Sequence, residues 1–412
     1  MNATSDSSLD LCLVMRQFYP VIAGAAERCR RYAPGLMARG VHMTAIARQT
    51  GPELALKEIL DGGMCVHRVP AQPDVQAWDQ ALLCHALKHS RDSGRIQNTV
   101  LQTNLAFQHT RRLLSEVRQS GVPTVWLGSM MEDMSGGRSW WQAFRERLHM
   151  HATLRGFDAC AVGSTVMRDW LRAAWLPERR IEVIGHGVNQ TRFCPVKSAN
   201  EKIALRERWE LPQTAVVTLL VGTITARKGV HLLLEAWENH LAANPHAHLV
   251  LAGGFDRPTV VHEAHQRELV TYQQGVRAQI SRLAATGRVR HFGEVADIHL
   301  LMRACDILVL PSDREGVPNV VLEAMSCGLP CVLTPFIGLP REELGQEGKT
   351  WLLTERTSSA LASTLSALIN DEVQRQSIGA AAYQQARDHF GLEKTLDAYA
   401  ALYRRLLREF HG

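Results

Sequence analysis

Short apolar runs alternate with helical stretches along almost the whole chain. In the first half the runs predict strands at Leu11–Met15, Met43–Ile46, Cys65–Val69, Val100–Thr103, Thr124–Leu127, Ala159–Val162 and Ile181–Ile184. After Pro195 the rhythm restarts and predicts strands at Val216–Val221, His248–Ala252, Val289–Phe292, Ile307–Leu310 and Cys331–Thr334. Many of these runs lack polar alternation, which is typical of parallel strands covered on both faces. The pattern therefore predicts an α/β protein with parallel sheets.

Because a dozen strands is many for one open sheet, we divide the chain into two doubly wound domains. We place the boundary near Cys194–Asn200, a polar segment that contains a proline, so the domains are 1–195 and 196–391. From Ser358 the chain is nearly all helical, with helices predicted at Ser359–Asn370, at Asp371–His389 and from Leu392. Two such sheets facing each other would form an interdomain cleft at the carboxyl ends of their strands, a usual place for a ligand.

Composition excludes several classes of protein. The chain has 412 residues, of which 46% are hydrophobic and 21% charged, as in ordinary globular proteins. Its apolar runs are all shorter than the ~18 residues of a membrane span. The start, MNATSDSSLD, lacks the basic region of a secretory signal, so we expect a cytoplasmic protein. Nine cysteines without C-x-x-C spacing favour reduced thiols over disulfides or a zinc site.

Positive charge is concentrated in the first half of the chain. The net charge is +5, and residues 1–195 hold 23 Lys and Arg against 17 Asp and Glu, a balance of +6. The excess favours an anionic partner such as a phosphate, an acidic polymer or a membrane surface. A solvated surface with an ordinary arginine excess explains it equally well. Nucleic acid is not expected, because no run of Lys and Arg exceeds two residues.

Candidate chemistry is densest in Pro311–Pro330, PSDREGVPNVVLEAMSCGLP. A strand runs into a polar turn that holds Glu315, and Pro318 suits the first position of a helix that carries Glu323. The helix N-terminus between the two carboxylates is a natural phosphate site. Carboxylates beside a phosphate suit the hydroxyl groups of a nucleotide-sugar. The alternative is a solvated loop glutamate and a partly exposed helix glutamate.

The whole segment resembles the signature of glycosyltransferase family 4, the retaining GT-B enzymes, in its two glutamates separated by seven intervening residues and its G-x-P-N. Five flanking segments resemble the family too: YPVIAGAAER, VIGHGVNQTRFCP, VGTITARKGVHLLLEAW, HLVLAGG and HFGEVA. The resemblance implies a GT-B fold of two Rossmann-like domains. It also implies that the last helix, about 392–412, crosses back onto the acceptor-side domain 1–195, whereas 196–391 binds the nucleotide-sugar donor.

The resemblance implies roles for four side chains. Glu315 would contact the hydroxyls of the donor sugar, and Glu323 would hold the ribose. Arg227 and Lys228 would clamp the diphosphate, because arginine can fork onto two oxygens while lysine acts as a point charge. The alternative for this basic pair is a solvated helix start, although cations there oppose the helix dipole unless an anion is present.

The resemblance also implies backbone contacts with the donor. Those near the sugar and phosphates would come from Gly316, Asn319 and Val320. Those near the nucleobase would come from Gly293, Glu294 and Val295. In the first domain Gly24 would let a loop approach the phosphates, because glycine permits close backbone contact.

Four positions depart from the family pattern. The family often has an arginine where this chain has Thr223, and a second glycine where it has Ala25. A histidine is common after the strand Thr124–Leu127, but the segment here reads WLGSMMED. His186 replaces a common asparagine.

Metal ligation receives little support from the sequence. The best-spaced histidine pair is His85 and His89, at i and i+4, but no third ligand is close in sequence. No D-x-D occurs that would bridge a metal to a diphosphate. We therefore predict no metal and no cofactor, with the nucleotide-diphosphate sugar as co-substrate.

The segment Arg138–Arg155 combines aromatic and basic residues, with Trp141, Phe144 and Leu148 on one stripe of a helix. This composition fits an interfacial helix at a membrane. It also fits a helix packed on its own domain with a wet basic edge, which is the interpretation we favour.

The sequence thus predicts a cytoplasmic, retaining, metal-independent glycosyltransferase, with possible peripheral contact with an anionic inner membrane face. Its acceptor would be a glycan, a lipid-linked glycan or a small molecule, in the synthesis of cell-surface polysaccharide or glycoconjugate. Two alternatives stay open: a nucleotide-sugar epimerase on the same architecture, and a non-catalytic homologue that only binds nucleotide-sugars.

Overall fold

The computed structural model describes residues 8–21, 24–60, 62–105, 108–128, 140–255 and 263–412. The chain divides into two compact units. Unit 1 comprises Met1–Gly185 together with Glu393–Gly412, and unit 2 comprises His186–Leu392.

Unit 1 is built on a sheet of eight strands in the order β3-β4-β2-β1-β5-β6-β7-β8. All neighbouring strands are parallel except β3 and β4. The strands are β1 Leu9–Met15, β2 Val41–Arg48, β3 Lys57–Ile59, β4 Cys65–Val69, β5 Thr99–Thr103, β6 Thr124–Leu127, β7 Ala159–Val162 and β8 Ile181–Val183. In the register of the central strand, Leu11 pairs with Met43 of β2 and with Val100 of β5.

In the described part of unit 1 there are six α-helices, and the last of them follows unit 2 in the chain. They are α1 Gly24–Met37, α2 Val75–Asp92, α3 Arg111–Gln119, α4 Trp140–Leu154, α5 Thr165–Ala173 and, after the helices of unit 2, α14 Leu392–His411. The Tyr403 hydroxyl of α14 donates a hydrogen bond to Gln102 Oε1 of β5 at 2.8 Å. The Arg39 guanidinium pairs with Glu393 and Asp397 at 2.6 and 2.7 Å. A buried hydrogen bond and two ion pairs thus attach α14 to unit 1.

Unit 2 has a fully parallel sheet of six strands in the order β11-β10-β9-β12-β13-β14. The strands are β9 Val216–Val221, β10 Ala247–Ala252, β11 Val289–His291, β12 Ile307–Leu310, β13 Cys331–Leu333 and β14 Leu352–Leu353. The helices are α6 Ala199–Arg208, α7 Val230–Ala236, α8 Glu263–Ala284, α9 Ile298–Ala304, α10 Asn319–Ser326, α11 Arg341–Leu344, α12 Ser358–Asn370 and α13 Glu372–His389.

Both faces of the unit 2 sheet are buried, which explains why its strands lack polar alternation. Leu219 and Leu308 belong to the core on one face, and Leu220 and Ile307 belong to the core on the other. Successive residues therefore enter opposite cores, as the pleat of a strand requires. The predicted class, α/β with parallel sheets in two doubly wound units, is confirmed.

Two short strands and one boundary differ from the sequence predictions. The three-residue β3 and the two-residue β14 are too short to produce a recognisable apolar run. The division between the units falls at Gly185, before the polar segment Cys194–Asn200. The residues between this division and the polar segment are attached to unit 2, because Val188 N donates a hydrogen bond to Phe390 O at 2.8 Å.

Two of the three residues of the α4 stripe are exposed, which contradicts the packing interpretation for them, whereas Phe144 is partly buried. Trp141 and Leu148 are 65% and 44% exposed. Phe144 lies between two tryptophans, with ring centroids 6.4 Å from Trp141 and 6.1 Å from Trp175. Trp175, on the turn after α5, is itself 50% exposed. Arg138 lies outside the described residues. Among the helices of the described ranges, none combines the length and apolarity that a membrane crossing needs.

Candidate functional site

The carboxyl ends of β9 and β12 bring together the predicted catalytic side chains. From β9 the chain builds the sheet outward through β10 to β11, then returns to β12 and builds the other side. In open α/β sheets the ligand crevice lies where the strand order reverses in this way. The loops after β9 and β12 are therefore the expected position for a ligand site in unit 2.

The loop after β9 holds the basic pair on a 3-10 turn, Ala226–Lys228, and not on the predicted helix start. Gly229 ends this turn in the left-handed conformation, with φ 69°, and α7 follows. A Cβ on Gly229 would lie 2.1 Å from Pro311 O, at the end of β12. Glycine is required here both for its backbone conformation and for the close approach of the two loops.

Glu315 is the centre of the cluster. Its Oε1 lies 3.0 Å from Arg227 Nη1 and 2.7 Å from Lys228 Nζ. The same oxygen accepts a hydrogen bond from the Ser312 hydroxyl at 2.7 Å. The three residues assigned to catalysis from the sequence are thus in direct contact, and the carboxylate fixes both cations at the end of the sheet.

Burial and charge oppose each other in this cluster. Burial disfavours the ionised form of Glu315, but Lys228 and Arg227 outweigh it, so the pKa of this carboxyl lies below its ordinary value. Burial lowers the pKa of the Lys228 ammonium, and Glu315 offsets part of that effect. Lys228 and Glu315 retain only 12% and 10% side-chain exposure, whereas Arg227 retains 38%. The exposed guanidinium is the member of the cluster best placed to meet an incoming anion.

Backbone contacts that the sequence did not indicate hold the two loops together. Asp313 N donates to Arg227 O at 3.0 Å. Arg356, which follows β14, donates from Nε to Pro311 O at 3.1 Å and from Nη2 to Ala226 O at 3.2 Å. One guanidinium therefore bridges the loops after β9 and β12, although no motif distinguishes Arg356 in the sequence.

The helix that carries Glu323 is α10, and it begins at Asn319. Pro318 precedes it with ψ 93°, so the prediction that proline occupies the first helical position is wrong by one residue. Its side chain provides no cap for the helix N-terminus. Glu323 is buried, as is Glu315. Two of the segment's predicted backbone positions, Gly316 and Val320, are partly buried.

His186, a departure from the family pattern, contacts this helix. Its Nδ1 lies 2.7 Å from Asn319 Oδ1. Because an amide oxygen only accepts hydrogen bonds, the imidazole Nδ1 donates. The sequence identified His186 as unusual, but gave no indication that it positions the side chain of Asn319.

The predicted nucleobase segment lies at the ends of β10 and β11. Gly253 N donates to Gly293 O at 2.6 Å, and a Cβ on Gly254 would lie 2.9 Å from Glu294 Oε1. Val295 packs against the core. A Cβ on Gly253 would lie 2.0 Å from Gly222 O, so this segment packs closely against the start of the loop that holds the basic pair.

Gly24 begins α1 in unit 1 and is exposed, and among the described residues outside its own helix no atom lies within 4 Å of the position of a Cβ. Ala25 follows it inside the same helix. Thr223 lies in the loop after β9 and is exposed. Their effect on ligand binding stays a prediction.

The histidine pair considered for metal ligation gains a third member from β4. His67 Nδ1 lies 3.1 Å from His85 Nε2, and its ring centroid is 4.8 Å from that of His89. Burial, with the neighbouring histidines, lowers the pKa of His67 to about 4. Across the described ranges, no group of three or more His, Cys, Asp and Glu is arranged to hold a metal ion.

Comparison with known families accounts for both units. Residues 22–192 match the model described as "Glycosyltransferase Family 4". Residues 201–385 match the model described as "Glycosyl transferases group 1". The two models follow each other along the chain and together cover most of it. The resemblance to the family-4 glycosyltransferases that the motifs indicated is therefore confirmed over these two ranges.

Individual relatives and solved structures agree with the family. The D-inositol 3-phosphate glycosyltransferase of Xylanimonas cellulosilytica is 33% identical over 227 residues, which are 54% of this chain and 51% of that protein. The chain spans about half the length of the curated relatives it matches. Sucrose-phosphate synthase from Thermosynechococcus elongatus superposes with a TM-score of 0.78 at 21% identity, covering 97% of this chain and 100% of that one.

A second solved structure is that of Anabaena HepE in complex with UDP and glucose. Its TM-score is 0.72 at 18% identity, covering 96% of this chain and 100% of that one. These likenesses show the fold, which is that of the GT-B glycosyltransferases.

Proposed function

We propose that the protein transfers a sugar from a nucleotide-diphosphate sugar to a glycan, lipid-linked or small-molecule acceptor, with retention of configuration. The observation that carries the proposal is the contact of Arg227 and Lys228 with Glu315 at the strand-order reversal of unit 2. Unit 2 binds the donor and unit 1 the acceptor. The UDP and glucose of HepE, and the phosphorylated acceptor named for the Xylanimonas relative, support this assignment of substrates.

The cluster suits catalysis by charge stabilisation. As the bond between sugar and phosphate breaks, negative charge grows on the leaving diphosphate. Arg227 and Lys228 are held in place before the reaction by Glu315, whose carboxylate accepts a hydrogen bond from Ser312, so little reorganisation is needed when that charge appears. We assign no enzyme nucleophile. The leaving phosphate assists deprotonation of an acceptor that attacks on the same face, and the protein chiefly orients the two substrates.

Calorimetry with UDP and GDP, followed by a turnover assay, tests the proposal. Binding of a nucleoside diphosphate and release of it only when an acceptor is present are expected. Isomerisation of the donor sugar without acceptor would indicate the epimerase instead. Tight binding without any turnover across a panel of donors and acceptors would indicate the non-catalytic homologue.

Chelation tests the metal-independent form of this function. Because Arg227 and Lys228 supply two positive charges at the leaving group, transfer is expected to continue at an unchanged rate in excess EDTA. The measurement is product formation with and without chelator. A rate that collapses on chelation and returns with magnesium or manganese would show that the two side chains are insufficient.

We further propose that the exposed aromatic face of unit 1 contacts an anionic membrane. The face consists of Trp141, Phe144, Leu148 and Trp175, and tryptophan suits the boundary between water and lipid. Arg145 is exposed on the same helix, which adds attraction to anionic lipid. Such attraction is screened over a Debye length of about 8 Å at physiological salt.

Vesicle flotation tests this contact. We expect recovery with anionic vesicles at low salt, reduced by high salt and by the double change Trp141→Ala and Trp175→Ala. Val373→Ala is the control, because Val373 is an apolar residue of unit 2 with 77% exposure. Equal recovery with neutral and anionic vesicles at every salt concentration would contradict the electrostatic part of the proposal. Equal recovery of the double variant and the control would contradict the aromatic part.

A further inference from the structure

A second charged cluster lies in unit 1, centred on Asp79 of α2. Asp79 is fully buried, and its carboxylate is bidentate with Arg16, whose Nε and Nη2 lie 3.0 and 2.6 Å from Oδ1 and Oδ2. Arg48 Nη2 lies 2.7 Å from Oδ1, and His109 Nε2 lies 2.9 Å from Oδ2. One carboxylate thus holds three basic side chains that come from three separate segments.

These segments end at one place in the fold. Arg16 follows β1, Arg48 is the last residue of β2, and His109 lies in the turn after β5. The three strands are adjacent and parallel, in the order β2-β1-β5. The sheet grows from β1 through β2 and β4 on one side and from β5 to β8 on the other, so its strand order reverses between β1 and β5. The basic cluster therefore lies at the expected ligand crevice of unit 1.

Arg48 is the member of the cluster with hydrogen-bonding capacity left over. Its guanidinium stays protonated and shares the buried carboxylate of Asp79 with that of Arg16. Within the described part of the chain, Arg48 Nε is a buried donor without a hydrogen-bond partner. Burial lowers the pKa of Arg48, Asp79 offsets part of that effect, and the charge of Arg16 adds to it. Arg16 and Arg48 keep 33% and 13% of their side-chain surface exposed, so both guanidinium groups can be reached from solvent.

The remaining contacts of Arg48 fix the plane of its guanidinium. The group stacks over the Trp78 ring at 4.7 Å from the centroid, and Nη2 also donates to Val75 O at 3.3 Å. A guanidinium held in this way presents its donors in a fixed geometry, which suits the oxygens of a phosphate.

We infer that Arg16, Arg48 and His109, supported by Asp79, form a binding site for a phosphate group in unit 1. Assigning that phosphate to the acceptor rests on the proposed function, whereas the anion site itself does not. The donor diphosphate is the other source of the same chemistry. Asp79 is a positioning residue here, since it contacts the three basic side chains and keeps them together.

Titration calorimetry of the full chain tests the inference, with glycerol 3-phosphate as the probe and with UDP present to saturate the donor site. We expect the probe to bind in the presence of UDP. Arg48→Gln should weaken it by about tenfold or more, because charged hydrogen bonds are lost. Arg48→Lys should weaken it less. Arg112→Gln is the matched control, because Arg112 is a unit 1 arginine with 91% side-chain exposure and a simple helical pair with Glu116.

An NMR signal from Arg48 itself tests the site even if the Arg48→Gln variant does not fold. In chain labelled with ¹⁵N-arginine, the Arg48 Nε resonance, identified by its loss in Arg48→Lys, should shift on addition of glycerol 3-phosphate. No shift, or equal affinity in Arg48→Gln and Arg112→Gln, would overturn the site. A shift caused by UDP itself would reject the acceptor and assign the site to the donor diphosphate. Failure of UDP to bind would count against the proposed function, and the phosphate titration would still be readable without it.

Discussion

Replacing Lys228 is expected to reduce kcat by roughly 10²–10³, by analogy with the loss of one oxyanion donor in other enzymes. The interaction of Lys228 with the leaving diphosphate strengthens as charge develops there, so its loss raises the barrier and not only the apparent affinity. Because the Lys228 stem is buried, Lys228→Met is the sharper variant: it removes the charge and keeps most of the volume. Steady-state kinetics at saturating donor, with a thermal melt of each variant, are the measurements.

Two further variants test the role of Lys228 through its neighbours in the cluster. Arg227 stays 3.0 Å from Glu315 and can substitute in part, so the double variant of Arg227 and Lys228 should be worse than either single one. Lys228→Arg should keep some activity but not all of it, since a planar fork does not replace a compact charge.

The chain offers a matched control at the opposite end of β12. There Asp306 holds Lys202 and Arg206, both at 2.5 Å, in the same arrangement of one carboxylate with a lysine and an arginine. Lys202→Met removes a comparable ion pair away from the carboxyl ends of the strands, and we expect it to leave kcat unchanged. A folded Lys228→Met protein that turns over as fast as Lys202→Met would show that Lys228 has no role at the leaving group.

Substituting Gly229 by alanine is expected to destabilise unit 2 by about 3 kcal/mol or more, with loss of turnover. A side chain in the left-handed region costs roughly 1–2 kcal/mol. The added Cβ would also lie 2.1 Å from Pro311 O, a backbone atom that cannot move aside without displacing the loop after β12. Since Lys228 is the preceding residue, any such displacement moves its ammonium away from Glu315.

Gly287→Ala separates these two effects. Gly287 has φ 70°, almost the same as Gly229, yet beyond its chain neighbours no atom of the described residues lies within 4 Å of the position of its Cβ. We expect this control to lose only about 1–2 kcal/mol, the cost of the backbone conformation alone. Denaturant unfolding of both variants gives the comparison. Equal losses of unfolding free energy would mean that the close approach of Gly229 to Pro311 contributes nothing.

The strands were predictable because both sheets bury both faces. The longer strands form mainly apolar runs such as Val216–Val221 that end at polar loops, so these strands were visible in the sequence. The short strands β3 and β14 were not. The stripe of α4 was ambiguous for a physical reason. Trp141 and Leu148 have the same helical spacing whether they face a core or solvent, and only the tertiary structure shows that they are exposed.

The candidate site was predictable in its membership but not in its internal contacts. Glu315, Arg227 and Lys228 belong to recognisable motifs, whereas their meeting depends on two loops more than eighty residues apart in the chain. Arg356 belongs to no motif, and Ser312 was assigned no role within its segment, because a guanidinium that bridges carbonyl oxygens and a hydroxyl beside a carboxylate have no characteristic spacing. The roles assigned to these residues toward a donor stay predictions.

The position of α14 has a consequence for the order of folding during synthesis. Unit 2 is complete once Leu392 has been made, but unit 1 still lacks α14, whose Leu396, Tyr399 and Tyr403 are buried in the finished protein. Domains usually fold in the order of their synthesis, the N-terminal one first. Here the ribosome must make α14 before the first unit can close its core, so the nascent first unit exposes apolar surface for the whole time that the second is being made.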